Sequence, residues 1–343
     1  MPFTFKKFAY PDQIKQQQKL FCECFSEIIH EGDKNSQSGV KSYLWQYHSF
    51  PGRPSSREYV VMDQDNMIAY YAAIPYRYKI GDKEVESGMV CGVMTSPSYR
   101  KMGLFSKLGN YASEQQKEEN VSFNFTFPIR KAVMPGFLKN GWDIAFELPL
   151  FVKFLKLSAL MKSKKIGLLA IFFNPLLSLY NNIRCMPNNP DFEILTYNKI
   201  DEIRGYDDFQ KKWALSVRNS LIKDKDFLKW RYGFPNRTVI YICAYNKHRL
   251  VGFVALTPIT KMGVDSYGVI DFMVIDENCL SNLHNAMYEK SKIDDKEALL
   301  MMMSNYSSKK YMLIKNAFFK SPFKFNFIFK NLNKNFSKKE LMN

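Results

Sequence analysis

The chain has 343 residues, 46% of them hydrophobic and 15% aromatic, a composition that folds and a length that is long for one core but comfortable for two. Its net charge of +16 favours an anionic partner: nucleic acid, a membrane surface or a phosphorylated small molecule. The lysines are scattered outside short runs such as Lys164-Lys165 and Lys338-Lys339, which argues against a nucleic-acid stripe. The six cysteines and four histidines lack metal-ligand spacing, so neither a metal nor a specific nucleic acid is expected.

In chain order, Met1–Tyr10 carries Lys6 and Lys7 with no following apolar run. It does not read as a signal peptide, and a reduced, cytoplasmic protein is expected. Pro11 to Ile29 has helical periodicity. Strands follow at Glu58–Asp63, Met67–Tyr78 and Glu84–Thr95, joined by Asp-Asn and Gly-Asp turns into an antiparallel meander. A helix is expected over Gly103–Glu118, a strand over Val121–Phe127, a short helix over Ala132–Lys139 and a strand over Ile144–Phe154. This strand–helix–strand crossover grafted onto a meander is an α+β arrangement, a mixed and mostly antiparallel sheet flanked by helices. Residues 155–190 read as a mostly helical connector. Its apolar run Ile166–Tyr180 is too short, and too broken by Asn174-Pro175, to be a transmembrane segment. Membrane-surface contact by this run, preceded by Lys162, Lys164 and Lys165, is an open reading.

The order of elements then recurs. A helix over Ile200–Val217 precedes strands Thr238–Ala244, Leu250–Pro258 and Gly268–Ile275. A helix Leu280–Lys290, a strand Ala298–Met303, a helix Ser308–Asn316 and an apolar end, Phe323–Phe329, complete it. Each half also carries a short aromatic signature before its meander: Leu44-Trp45-Gln46-Tyr47 with Phe50-Pro51, and Leu228-Lys229-Trp230-Arg231-Tyr232 with Phe234-Pro235. Together they indicate an internal duplication.

The chemistry concentrates in Thr95–Leu108, "TSPSYRKMGLFSKL". An Arg-x-x-Gly turn entering a helix directs unpaired backbone N–H groups and the helix dipole at one point, a cradle for pyrophosphate. Thr95 and Pro97 end the strand, Arg100 and Lys101 add charge, and Gly103 permits close approach. Set between the meander and the crossover, with Phe137-Leu138-Lys139-Asn140-Gly141-Trp142 downstream, this stretch resembles the GNAT superfamily of acyl-CoA-dependent N-acyltransferases. The family's motif is Gln/Arg-x-x-Gly-x-Gly/Ala after a strand ending in T-x-P-x-Y-R.

The resemblance implies two GNAT-like domains. An acetyl-CoA-binding domain would span 1–154 and the connector 155–190. A degenerate second copy shaping the acceptor site would span 191–335, and a basic tail 336–343. It implies that Arg100, Lys101, Met102, Gly103, Leu104, Phe105 and Ser106 hold the pyrophosphate. Amides at Val93, Met94 and Thr95 would polarise the thioester carbonyl, and Asn124 would contact the pantetheine arm. Glu86 and His48 are the candidates for proton transfer. Trp45, Tyr47, Trp230 and Asp271 are candidates for the acceptor pocket, with core packing as the competing reading. Two positions depart from the family: Phe105 stands at the last Gly/Ala, and Phe137 where a leaving-group Tyr is usual. In the second half Asp276 and Glu277 occupy the phosphate turn, so no CoA is expected there. The expected activity is acetyl transfer to a small-molecule amine, with an amino sugar or nucleotide-linked amino sugar in view. An aminoacyl-transferase of the peptidoglycan type using charged tRNA, and a non-catalytic CoA-binding protein, stay open.

Overall fold

The computed structural model describes residues 2–26, 36–52, 56–234, 237–261, 263–333, 336–337 and 339–340. The chain opens on strand β1 (Thr4–Lys7), then helices α1 (Ile14–Cys24) and α2 (Ser36–His48). The last residues of the helix expected to reach Ile29 lie outside the described residues. The meander is β2 (Arg57–Asp63), β3 (Asn66–Ile80) and β4 (Lys83–Thr95), and the crossover is α3 (Leu104–Glu118), β5 (Phe123–Thr126), α4 (Met134–Lys139) and β6 (Asp143–Phe154). Helices α5 (Ser158–Ser163) and α6 (Ala170–Ile183) form the connector. The second series is β7 (Glu193–Tyr197), α7 (Tyr206–Ser216), β8 (Asn219–Leu221), α8 (Lys225–Tyr232), β9 (Ile240–Asn246), β10 (Arg249–Lys261) and β11 (Val264–Val274). It ends with α9 (Leu280–Ile293), β12 (Ala298–Met302), α10 (Asn305–Lys310) and β13 (Phe319–Asn331).

Two expected helices shift. Helix α7 starts at Tyr206 rather than Ile200 because Gly205, at φ +72°, sets its N-cap. Helix α10 starts early, where the Ser304 side chain accepts from the Ser307 amide, and stops before Met312, whose φ is +54°.

The chain forms two compact units. The first is Met1–Phe146 with Arg218–Pro235 and Asn326–Asn343; the second is Glu147–Val217 with Asn236–Phe325. This division differs from a cut at residue 154 in three segments. Residues 147–154 belong to the second unit, and 218–235 and 326–343 to the first.

In the first unit the antiparallel order β1-β2-β3-β4 is extended by a parallel β4–β5 pairing, Ser87↔Phe123 to Met89↔Phe125. The end of β13 then pairs antiparallel with β5, Ile328↔Thr126 to Asn331↔Phe123. Alternation decides the faces. Tyr59, Val61, Ala69, Tyr71 and Ala73 pack under Leu104, Leu108 and Ala112, the i, i+4, i+8 stripe of α3. In the second unit β7, β9, β10 and β11 are antiparallel, β11 and β12 parallel, and β12 pairs antiparallel with β6. Both units are mixed sheets with helices packed on them, the fold class expected.

Candidate active site

Strand β4 is irregular near its end. Tyr70 pairs with Met94 but Ala72 pairs with Cys91, so two β4 residues, Gly92 and Val93, oppose one on β3. This is a β-bulge with Gly92 at φ +61°. Beyond Met89 the described strands give β4 no partner on its β5 side. The backbone of residues 90–95 thus borders an opening between strands that began parallel.

The turn after β4 is short and held from below. Tyr99 donates its hydroxyl to Asp63 (2.7 Å), and the Ser96 amide donates to the Ile68 carbonyl (2.9 Å). Lys101 (φ +67°) and Gly103 (φ +76°) are both left-handed. Gly103 is required for that backbone more than for space: a Cβ there would meet only Lys107 Cε, at 3.9 Å. Helix α3 begins at Leu104, and its first internal bond is Lys107 N–H to the Gly103 carbonyl (3.0 Å). Among the described residues, the amides of Lys101, Met102, Gly103, Leu104, Phe105 and Ser106 have no protein acceptor. They adjoin a cavity of about 300 Å³ lined by Thr95, Tyr99, Arg100, Lys101, Gly103, Leu104 and Phe105. Unpaired amides, a helix N-terminus and two exposed cations suit a pyrophosphate.

Phe105, the departure from the family motif, turns its ring into the core. It meets Phe137 edge to face (centroids 5.1 Å, 82°) and would touch a Cβ on Gly136 at 2.9 Å. Phe137 is buried and meets Trp142 at 4.9 Å. Phe105 also lines the cavity, and Phe137 offers no hydroxyl.

Other expected site residues lie elsewhere. Glu86 is about 30 Å along β4 from Thr95 at ~3.3 Å per residue. Its carboxylate is held by Arg57, which also binds Glu119 (2.6 Å), so it is a structural ion pair. Asn124 is fully buried where β4 and β5 are still paired, opposite Gly88. Its Nδ2 donates to the Tyr71 hydroxyl (3.4 Å), so it faces the α3 side and not the opening.

His48 is buried against Glu58, with Nε2 at 3.1 Å from Oε1, and stacks on Tyr10 (3.8 Å). Glu58 also accepts from the Tyr43 hydroxyl (2.6 Å) and from Tyr70. Burial and then the Glu58 charge push the Tyr43 hydroxyl far above its usual range. This cluster was not anticipated; a Glu inside the apolar strand "REYVVMD" was its only signal.

The two tryptophans pair with each other. Trp45 Nε1 donates to the Trp230 carbonyl (2.7 Å), and Trp230 Nε1 to the Trp45 carbonyl (2.8 Å). Their rings stack at 5.3 Å, and each partner's Phe-Pro phenylalanine packs on the opposite indole, Phe50 on Trp230 and Phe234 on Trp45. Both indole donors are consumed by this pairing. Tyr47 is buried with its hydroxyl against Gly92.

In the second unit Asp271 is buried on β11 beside a matching bulge and accepts from the Phe272 amide (3.0 Å). Asp276 accepts from the Asn278 amide (3.0 Å), so a carboxylate already occupies the turn equivalent to the amide cradle. Sequence reasoning also missed Cys24. Its thiol donates to the Thr95 carbonyl (3.3 Å) and lies beside the Arg100 guanidinium; burial raises its pKa and Arg100 offsets part of the rise.

A bulged strand leads through the Arg100–Gly103 turn into a crossover helix with free N-terminal amides, set on a mixed sheet. The acetyltransferase (GNAT) domain family model matches residues 8–145. The fold is similar over 97% of this chain and 73% of the other to a GCN5-related N-acetyltransferase from Anabaena variabilis (TM-score 0.67, 11% identity). It is equally similar, over the same shares, to a conserved Enterococcus faecalis protein of unknown function described as a probable N-acyltransferase (TM-score 0.67, 10% identity). Saccharomyces cerevisiae N-myristoyltransferase with bound myristoyl-CoA and inhibitors matches over 96% and 81% (TM-score 0.61, 11% identity). No curated protein matches the chain by sequence.

Proposed function

We propose that the chain is an acetyl-CoA-dependent N-acetyltransferase whose first unit holds the cosubstrate's pyrophosphate on the amides of residues 101–106. The observation that carries this reading is the set of six amides without protein acceptors beside the Arg100 cavity. Acyl-CoA would supply an activated thioester to be attacked directly by an acceptor amine. Val93, Met94 and Thr95, at and after the bulge, lie on the unpaired margin of β4, where an amide can polarise a carbonyl. A thiolate of pKa near 8.5 leaves without a dedicated acid, which accommodates Phe137. Glu86 and His48 are engaged by Arg57 and Glu58, so the amine's proton is assigned to water rather than to either.

The acceptor we favour is a small-molecule amine, an amino sugar or nucleotide-linked amino sugar; the phosphates of the nucleotide-linked form suit the net charge of +16. The yeast relative carries myristoyl-CoA, so longer acyl chains belong in the same test. The missing Phe137 hydroxyl favours one second reading, a CoA-binding protein without turnover.

The test is thermal shift with acetyl-CoA, longer acyl-CoAs and CoA, followed by turnover on an amine panel. At a ligand concentration of about 100 Kd the expected stabilisation is about 3 kcal/mol, a shift of several degrees. Gly103→Asp should abolish it, while Gly103→Asn, with a similar backbone cost and no charge, should keep most of it. Stabilisation by no CoA species would refute the reading; stabilisation without turnover would select the non-catalytic one.

A further inference from the structure

Helix α6 is packed inside out. Ala170 and Asn181 are its buried residues, and Asn174 accepts from the Leu157 amide (2.8 Å) and donates to Ser158 (3.0 Å). Asn181 donates to the Phe154 carbonyl (2.9 Å). Positions 170, 174 and 181 lie at i, i+4 and i+11, one face of the helix, and it is largely polar. The opposite side is apolar and bare: Ile171 and Phe172 are each 70% exposed, and Leu176, Leu179 and Ile183 exceed half. Just before the helix, Leu168 is 82% exposed. A helix face of this kind on a folded domain marks an interaction site.

Charge identifies the occupant. No residue from Ile166 to Ile183 is charged, while Lys162, Lys164 and Lys165 precede the run and Arg184 follows it, all exposed. No Asp or Glu occurs between Glu147 and Asp191. A second copy docking helix to helix would bring these cations together without an acidic partner. An anionic lipid surface complements both features, since acyl chains receive the apolar face and headgroups the lysines. The geometry excludes spanning: 14 residues at 1.5 Å reach about 21 Å, short of a ~30 Å hydrocarbon core. No helix among the described residues is long and apolar enough to cross.

We infer that α6 is an interfacial helix that seats the second unit on an anionic membrane surface, with Phe172 and Leu176 inserted and Lys162, Lys164 and Lys165 at the headgroups. The test is flotation of the full chain with phosphatidylglycerol–phosphatidylcholine vesicles and with phosphatidylcholine alone, alongside sedimentation to read the oligomeric state. Wild type should float with the anionic vesicles and bind the neutral ones roughly a hundredfold more weakly, given three exposed lysines. Phe172→Ser with Leu176→Ser should lose flotation at an unchanged melting temperature. Lys162→Gln with Lys164→Gln and Lys165→Gln should lower binding to the anionic vesicles toward the neutral level. Failure of wild type to float, or flotation unaffected by the serine substitutions, overturns the inference. A dimer that the serine variant dissociates, with no vesicle binding, assigns the face to a second copy and overturns it as well.

Discussion

Gly92 is constrained twice. Its φ of +61° disfavours any residue with a Cβ, and that Cβ would stand 2.5 Å from the Tyr47 hydroxyl oxygen. The next Tyr47 atom, Cζ, is at 3.6 Å, an ordinary contact. Gly92→Ala should therefore cost about 2–4 kcal/mol in urea denaturation, part backbone strain and part collision. Adding Tyr47→Phe removes the colliding atom, so the double variant should be at least about 1 kcal/mol more stable than the sum of the singles. Strict additivity would place the whole cost in the backbone. At this scale the Arg100–Gly103 turn was legible, because turn chemistry is local: a left-handed glycine before a helix is written in four residues. Where Asn124 and Glu86 point was not. That depends on which stretch of β4 still pairs with β5, and no residue in "VSFNFTF" records where two strands part.

Helices α2 and α8 show the same contrast between elements. The signatures around Trp45 and Trp230 were readable as a repeat, but not as partners, since pairing across 185 residues leaves no local trace. Helix α8 itself had one readable cue, Asp224, whose side chain accepts from the Phe227 amide as an N-cap. Its two turns bury Phe227, Leu228, Trp230 and Tyr232, so it lacks the polar face that marks a surface helix. Strands β3 and β4 and helix α3 were legible because alternation and the Leu104–Leu108–Ala112 stripe persist over many residues. The indole exchange makes a testable unit. Trp45→Ala should cost about 3–5 kcal/mol, combining a large cavity with a bare Trp230 carbonyl. Trp230→Ala should cost a similar amount. The pair together should cost less than their sum by about 1 kcal/mol or more, because one stack and one reciprocal pair of bonds can be lost only once. A double-mutant cycle with zero coupling would separate the two tryptophans energetically despite their contact.

For the molecule as a whole, the excess of 49 basic over 33 acidic residues makes acid a stress, since protonating carboxylates adds to an already positive charge. The second unit adds a sharper response. His284 is buried beside Phe272 and Phe318, and its Nε2 is 2.8 Å from the Tyr311 carbonyl, which fixes it as the donor. Burial lowers its pKa to about 4, the Tyr311 hydrogen bond opposing and the Lys153 charge adding to the shift. The imidazole is therefore neutral when folded and takes up a proton near pH 6.5 when unfolded. Above pH 6.5 both states are neutral and His284 contributes no pH dependence. As pH falls from 6.5 toward 4 the unfolded state binds the extra proton, and stability drops by about 3 kcal/mol before levelling. Melting temperature against pH should fall through that window, with amide exchange accelerating first in β11, α9 and the segment around Tyr311. His284→Gln keeps a donor for the carbonyl and removes the titration. It should lower stability at pH 7 by about 1–2 kcal/mol and flatten the decline between pH 6.5 and 4. A variant that retains the wild-type slope would show that the acid response arises from the paired carboxylates instead.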